Sequence, residues 1–522
     1  MANSATRLLA ATACAALLSA VQSNAQTTPT ASVPSPTAPL SAIPWLSETL
    51  EYRPIRRREA PPAPVPESDN ITVSAIDAPT PAATGLLSPA VTGLPADLWA
   101  GSEGAVLTRL VRAMPLLPQP ALQQVFDGLL LLEATPPAAD GSDLLLARID
   151  ALLLRGALDP AQALLERAGP DTPALFRRWF DISLLNGTED RACATLAKKP
   201  ELSPNYETRI FCLARMGRWL TAALTLETAT ALDRITPDSR DRLARFLDPE
   251  LFEGDGPAPR PSPVTPLDFR ILEAVGEPVP TSGLPLAFAQ SDLRHVIGWK
   301  AQLDAAERLA RVGSLPVNTL LGIYTARRPA ASGGVWDRVT LLQELDIEIA
   351  AGDATAAAMT LPFAWNAMRE ADLEAVFAQM MAPRLSRLSF QGEAARMVYE
   401  LGLISNSAAA LAPPPSGVEL SPDLAFAAAL ATGDLKRATP VDDWQSTIRA
   451  ALLSPDLPPT YARMIEDGRT GEALLTALAR LVNGREGDPM DIAEALQLLR
   501  ALGQEATARQ AALQILRIEP RQ

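Results

Sequence analysis

The residues equipped for chemistry are few and scattered. His295, within Asp292-Leu293-Arg294-His295-Val296, is the single histidine of the 522-residue chain, which excludes a multi-histidine metal site. A Ser/His triad built on it would lack any nucleophile-elbow glycine signature, and His295 reads as a residue that caps or packs a helix. Lys198, Lys199, Lys300 and Lys436 are the only lysines, and none has the neighbours that activate a Schiff-base or Ser-Lys pair. No glycine-rich phosphate loop with a following lysine, no His-Glu-x-x-His and no paired Cys-x-x-Cys occurs. Acidic residues are plentiful, so spacing alone does not single out a glycosidase pair. No cofactor and no metal ligand set is expected, and no residue is singled out as catalytic.

Three clusters suit binding better than catalysis. Arg327 and Arg328 share the loop 327–337 with small residues and Trp336, and arginine forks suit an acidic group. Arg177 and Arg178 stand beside Trp179. Trp45, in Ile43-Pro44-Trp45-Leu46, precedes the basic residues Arg56, Arg57 and Arg58. An aromatic next to a basic cluster on an extended arm fits docking to a partner, and fits equally folding back onto the chain's own body.

The elements that carry these residues begin with a leader. One positive charge, at Arg7, precedes the uncharged apolar run Leu8–Val21, and Ser23-Asn24-Ala25 supplies small residues for cleavage before Gln26. The run is shorter than the ~20 residues a membrane span needs. The expected locale is therefore periplasmic or secreted, with no integral span after cleavage. The net charge is −14, which disfavours nucleic acid or an anionic membrane as a partner. Cys193 and Cys212 remain once the leader and its Cys14 are gone. They fall in successive short helices joined by the turn 199–204. Antiparallel packing would bring the two sulfurs together, and an exported chain permits the disulfide.

The chain divides into a signal peptide over 1–25 and a disordered arm rich in Pro and Ala over 26–68. An extended segment at 69–141 leads into the first helices, and its alternating stretch Ile71–Asp77 is the one short β-strand signal. Helical repeats follow at 142–253, a linker at 254–266, a middle helical region at 267–412, a second linker at 413–420 and C-terminal helical repeats at 421–522. The repeats rest on a recurring pair. Gly156, Gly187 and Gly217 are each followed five residues later by alanine, at Ala161, Ala192 and Ala222. Gly433, Gly468 and Gly503 are followed in the same way by Ala438, Ala473 and Ala508, and Gly352 by Ala357. Glycine suits a turn that needs free φ, and alanine suits the crossing of two close helices.

This pattern resembles the tetratricopeptide repeat, in which a glycine closes the first helix and alanines sit where the two helices touch. The resemblance implies an all-α fold of stacked helical hairpins, an α-solenoid whose groove binds protein or peptide. The expected function is that of an exported non-enzymatic scaffold with a protein or peptide partner in the cell envelope. The alternatives are an envelope enzyme or accessory acting on cell-wall glycan or peptide, and a purely structural envelope component. The enzyme reading calls for a deep acidic cleft with a carboxylate of raised pKa.

Overall fold

The computed structural model describes residues 81–138, 142–414 and 417–516. The leader, the arm with Trp45, Arg56, Arg57 and Arg58, and the stretch 71–77 lie outside the described residues. Among the described residues the chain is helical and has no strand; Leu87 and Leu132 form an isolated parallel bridge. No helix among them is long and apolar enough to cross a membrane.

Proline starts these helices. Pro120, Pro173, Pro237, Pro266, Pro422, Pro459 and Pro489 each occupy a first turn, where the missing N–H has no partner to lose. Thr172, Thr236, Thr265, Ser421 and Asp488 directly precede five of these prolines and cap a following amide with their side chains.

Helices of eight residues or more are numbered in chain order. α1 (Gly104–Ala113) and α2 (Pro120–Leu131) come first. Three hairpins follow: α3 (Asp143–Leu154) with α4 (Leu158–Ala168), α5 (Pro173–Asn186) with α6 (Glu189–Lys198), and α7 (Tyr206–Arg215) with α8 (Trp219–Ala231). α9 (Pro237–Leu247) and α10 (Pro266–Ala274) close this run. The middle holds α11 (Trp299–Arg311), α12 (Val317–Thr325), the hairpin α13 (Val335–Ala351) with α14 (Ala354–Arg369), α15 (Glu374–Leu385) and α16 (Gly392–Ile404). The last part holds α17 (Pro422–Thr432), α18 (Asp443–Leu453), and two hairpins, α19 (Pro459–Glu466) with α20 (Thr470–Leu481) and α21 (Pro489–Ala501) with α22 (Glu505–Ile515).

Each of these six hairpins turns on one of the repeat glycines. Gly156, Gly187, Gly217, Gly352, Gly468 and Gly503 have φ between 72° and 79°, a region costly for any residue with a Cβ. The alanines five residues on, Ala161, Ala192, Ala222, Ala357, Ala473 and Ala508, are all 0 % exposed. Gly433 departs from the scheme: it also turns left-handed and Ala438 is buried, but no helix forms between Thr432 and Asp443.

An open solenoid would let each hairpin touch only its neighbours. Here the C-terminal hairpins also pack on the first helices, with α20 against α1 and α22 against α2. The Gly471 amide donates to Leu98 O at 3.0 Å, and a Cβ at Gly471 would lie 2.5 Å from the Trp99 ring. Gln514 accepts from the Ala121 amide and Gln504 donates to Thr92 O along the same seam.

The buried apolar residues form two clusters. One gathers α1 to α10 together with α17 to α22, and the other gathers α11 to α15; α16 contributes Tyr399 and Leu403 to the first and Val398 and Leu401 to the second. The division falls between Phe288 and Ala289. Segment 254–265 has no helix but is held in place: the Ala258 amide donates to both carboxylate oxygens of Glu277, and Arg242 and Arg245 donate to Pro259 O and Gly256 O. Main-chain groups stitch the two clusters together. Gln123 reaches Arg311 O, Arg155 reaches Val312 O, Gln290 reaches Gly156 O and Ser291 reaches Leu185 O.

Two buried charges organise the cores. Arg148, 1 % exposed, donates to the carbonyls of Thr84, Leu130 and Leu132, and burial pulls its guanidinium down to about 10. Glu307, 3 % exposed, accepts from Tyr324 Oη at 2.7 Å and from Arg338 at 2.9 and 2.7 Å. Cys193 on α6 and Cys212 on α7 are joined by a disulfide across a sequence separation of 19.

Two outcomes follow from this geometry. A Cβ at Gly217 would meet nothing within 4 Å, whereas one at Gly156 would lie 2.6 Å from Leu309 Cδ2. Gly217→Ala should cost ~1 kcal/mol from its φ alone, and Gly156→Ala a further ~1–3 kcal/mol from the clash; urea midpoints of the two variants give the comparison. Reduction of the Cys193–Cys212 bond should lower stability by ~3 kcal/mol, as expected for a loop of this size. Urea unfolding with and without reductant checks this, and Cys193→Ala should show no response to reductant.

Candidate binding groove

The repeat run places one side of α5 opposite two helix starts. Pro173, Ala174, Phe176, Arg177, Phe180 and Asp181 lie on adjoining positions of α5, since residues three and four apart share a face. Opposite them run the turn Leu202–Asn205, Thr208 in the first turn of α7, and Thr265–Leu267 at the start of α10. Together they enclose a groove of about 430 Å³.

Its floor is apolar. Phe176 and Phe180 stack with ring centroids 6.2 Å apart, and Phe180 meets Phe211 of α7 edge-on, also at 6.2 Å. Its walls are braced from behind. Arg209 donates to Ser203 O and Pro200 O and so fixes the turn before α7. The disulfide holds α7 to α6. Arg242 pairs with Asp268 at 2.9 Å and holds α10 to α9.

At the two helix starts facing the groove, caps and a proline take up most of the donors. Asn205 Oδ1 accepts from the amides of Glu207 and Thr208. Thr265 and Asp268 form a reciprocal capping box, and Pro266 has no amide hydrogen. The Asp181 carboxylate, whose side chain is 29 % exposed, accepts no hydrogen bond from another described residue. Arg177 Nε, at 4.0 Å, is the one cation within ion-pair distance among the described residues. Burial pushes this carboxyl up to about 6, against the smaller downward pull of Arg177 and Arg178.

The arginine pair separates in space. The Arg177 side chain is 80 % exposed at the mouth of the groove. Arg178 is committed to the α3–α5 contact: it holds Asp150 through Nε and Nη2 at 2.5 and 2.7 Å and also donates to Ala174 O. Arg327 and Arg328 are exposed in the loop before α13. Trp336 packs on Trp299 with centroids 5.2 Å apart. None of these three lines the groove. His295 stands exposed in the turn between Asp292 and Trp299 and does not pack a helix, because the chain breaks there before α11 begins.

Against protein-family models, curated proteins and solved structures, the chain finds no match.

A second cavity, of about 620 Å³, lies where α2, the α11–α12 turn and the start of α15 meet, and is lined in part by Gln123, Asp127, Arg311 and Glu374. Burial raises the Asp127 carboxyl to about 6, with Arg155 pulling it down. Asp181 and Asp127 were not singled out in the sequence. Asp181 carries a weak signal there, one helical turn after Arg177 and directly after Phe180; Asp127 carries none.

Asp181 gives stability a definite pH dependence. Its folded-state value lies above the ordinary 3.8, so the native state holds the proton more tightly than the unfolded chain. That contribution is fully present below about pH 4 and is lost as pH rises through about 6. Asp181→Asn should therefore be more stable than the parent at pH 7.5 by ~1–2 kcal/mol, a discounted share of the full shift. The two should converge near pH 4, and urea midpoints at both pH values provide the check.

Proposed function

We propose that this chain is an exported, non-enzymatic scaffold that holds an extended segment of an envelope protein in the groove between α5, α7 and α10. The observation that supports it is the groove itself. Its volume falls within the ~300–1,000 Å³ of ligand pockets, which suits a short peptide stretch better than a folded surface. Its floor is aromatic, its walls are cross-braced, and its only uncommitted charges are Asp181 and Arg177. Stacked hairpins commonly present such surfaces, and the resemblance to tetratricopeptide repeats agrees with this reading.

A photo-crosslinking residue at position 174, in cells, tests it. The expected result is a small, reproducible set of envelope proteins captured from 174 and lost when Arg177 and Asp181 are both replaced. The mature protein recovered from the cell envelope should begin at Gln26 by mass spectrometry. Capture of the chain itself, or of glycan alone, overturns the reading.

One observation favours an enzyme. Asp127, raised to about 6, lines the larger cavity with Asp372 and Glu374, as a general acid in an acidic cleft requires. Arg155 engages the same carboxylate at 3.2 Å, so Asp127 is also part of the joint between the two cores. Under this reading Asp127→Asn abolishes hydrolysis of cell-wall fragments while leaving capture at position 174 unchanged.

A further inference from the structure

We infer that the groove selects a peptide segment that presents a lysine or arginine side chain to Asp181, with an apolar neighbour seated on Phe176 and Phe180. This rests on the groove being a peptide site, and it adds the chemistry of the ligand.

Three classes of occupant compete. An anion would gain from exposed amides at helix starts, but here caps take the amides of Glu207, Thr208 and Asp268, and proline removes another. It would also sit beside a carboxylate. A metal ion needs several ligands converging, and among the described residues no group of three His, Cys, Asp or Glu is so placed. A cation on an organic side chain meets neither obstacle. It supplies hydrogen-bond donors to a carboxylate that accepts none from the described residues around it, and its aliphatic stem lies along apolar walls. Charge-assisted hydrogen bonds in a partly dry site are about twice as strong as neutral ones.

Arg177 does not already fill this role. At 4.0 Å it lies beyond hydrogen-bonding distance of Asp181, and its side chain is 80 % exposed, so it can turn outward at little cost. Turned outward at the mouth, its guanidinium faces the main chain or a neighbouring acidic residue of the bound segment. Burial raises the Asp181 carboxyl, and Arg177 and Arg178 offset this only in part. The net charge of −14 favours the approach of a basic segment over long range.

The test uses the full chain, immobilised, and a phage library of random heptapeptides. Three baits run in parallel: the parent, Ala174→Trp to block the groove at an exposed position, and Asp181→Asn, which keeps the shape. Peptides retained by the parent and lost on Ala174→Trp define groove ligands. They should carry lysine or arginine next to an aromatic or aliphatic residue, enriched at least fivefold over the unselected library. Synthetic copies should bind Asp181→Asn about tenfold more weakly by fluorescence anisotropy, and replacing their basic residue by glutamine should cost the parent the same factor. Groove-dependent peptides without a basic residue, or with an acidic one, overturn the inference and leave the peptide site standing. An absence of groove-dependent peptides overturns both.

Discussion

The fold depends on how closely two helices can approach at the start of a hairpin. A left-handed glycine turns the chain within a few residues, and the second helix then crosses the first at an alanine with no exposed surface, as at Gly187 and Ala192. A larger side chain at that crossing would push the axes apart and open the leucine layers on either side. The composition follows from this geometry. Small residues carry the crossings, leucines fill the layers between them, and a row of aromatics, Phe176, Phe180 and Phe211, lies below the groove. Prolines begin helices and so mark where one unit ends and the next starts.

A frame of small residues leaves some main-chain groups without a helical partner, and buried charged side chains satisfy them. Arg148 takes three carbonyls at once where the end of α2 meets α3 and the segment around Thr84. It has no carboxylate partner among these contacts; hydrogen bonds to charged groups, worth ~1.5–3 kcal/mol each, offset the cost of burying it. In the second core Glu307 is met by a tyrosine and a forked arginine, the geometry in which a buried pair recovers most of its desolvation cost. Where the two clusters meet, Gln123, Arg155, Gln290 and Ser291 each donate to a main-chain oxygen across the boundary. Such bonds fix the orientation of one core on the other and add little net energy.

These features were unequally visible in the sequence. The glycine and alanine spacing is local, and seven of its glycines have left-handed φ in the structure. The packing of α20 and α22 on α1 and α2 left no local trace, because a helix face that buries against a distant partner has the same periodicity as one that buries against a neighbour. Proline and glycine at 254–266 suggest a linker; what holds that segment are side chains from Arg242, Arg245 and Glu277, and spacing does not report them. The same limit applies to the arginines. Arg177 and Arg178 are equivalent as a dipeptide, yet a 100° step around α5 sends one to solvent and the other to Asp150.

The chemistry of the groove follows from this economy of main-chain groups. Helix starts in this fold are capped by their own residues and carry proline, so they have few donors left to bind an anion. Phenylalanines line the floor, and that apolar floor desolvates whatever lies against it. Asp181 is placed there by the register of α5, one turn beyond Arg177, where neither helix start reaches it with a donor. Asp181 and Arg177 are the two charged side chains that line the groove, and they meet only at 4.0 Å. Under the peptide reading, the preference of the groove is set by that carboxylate together with its apolar floor.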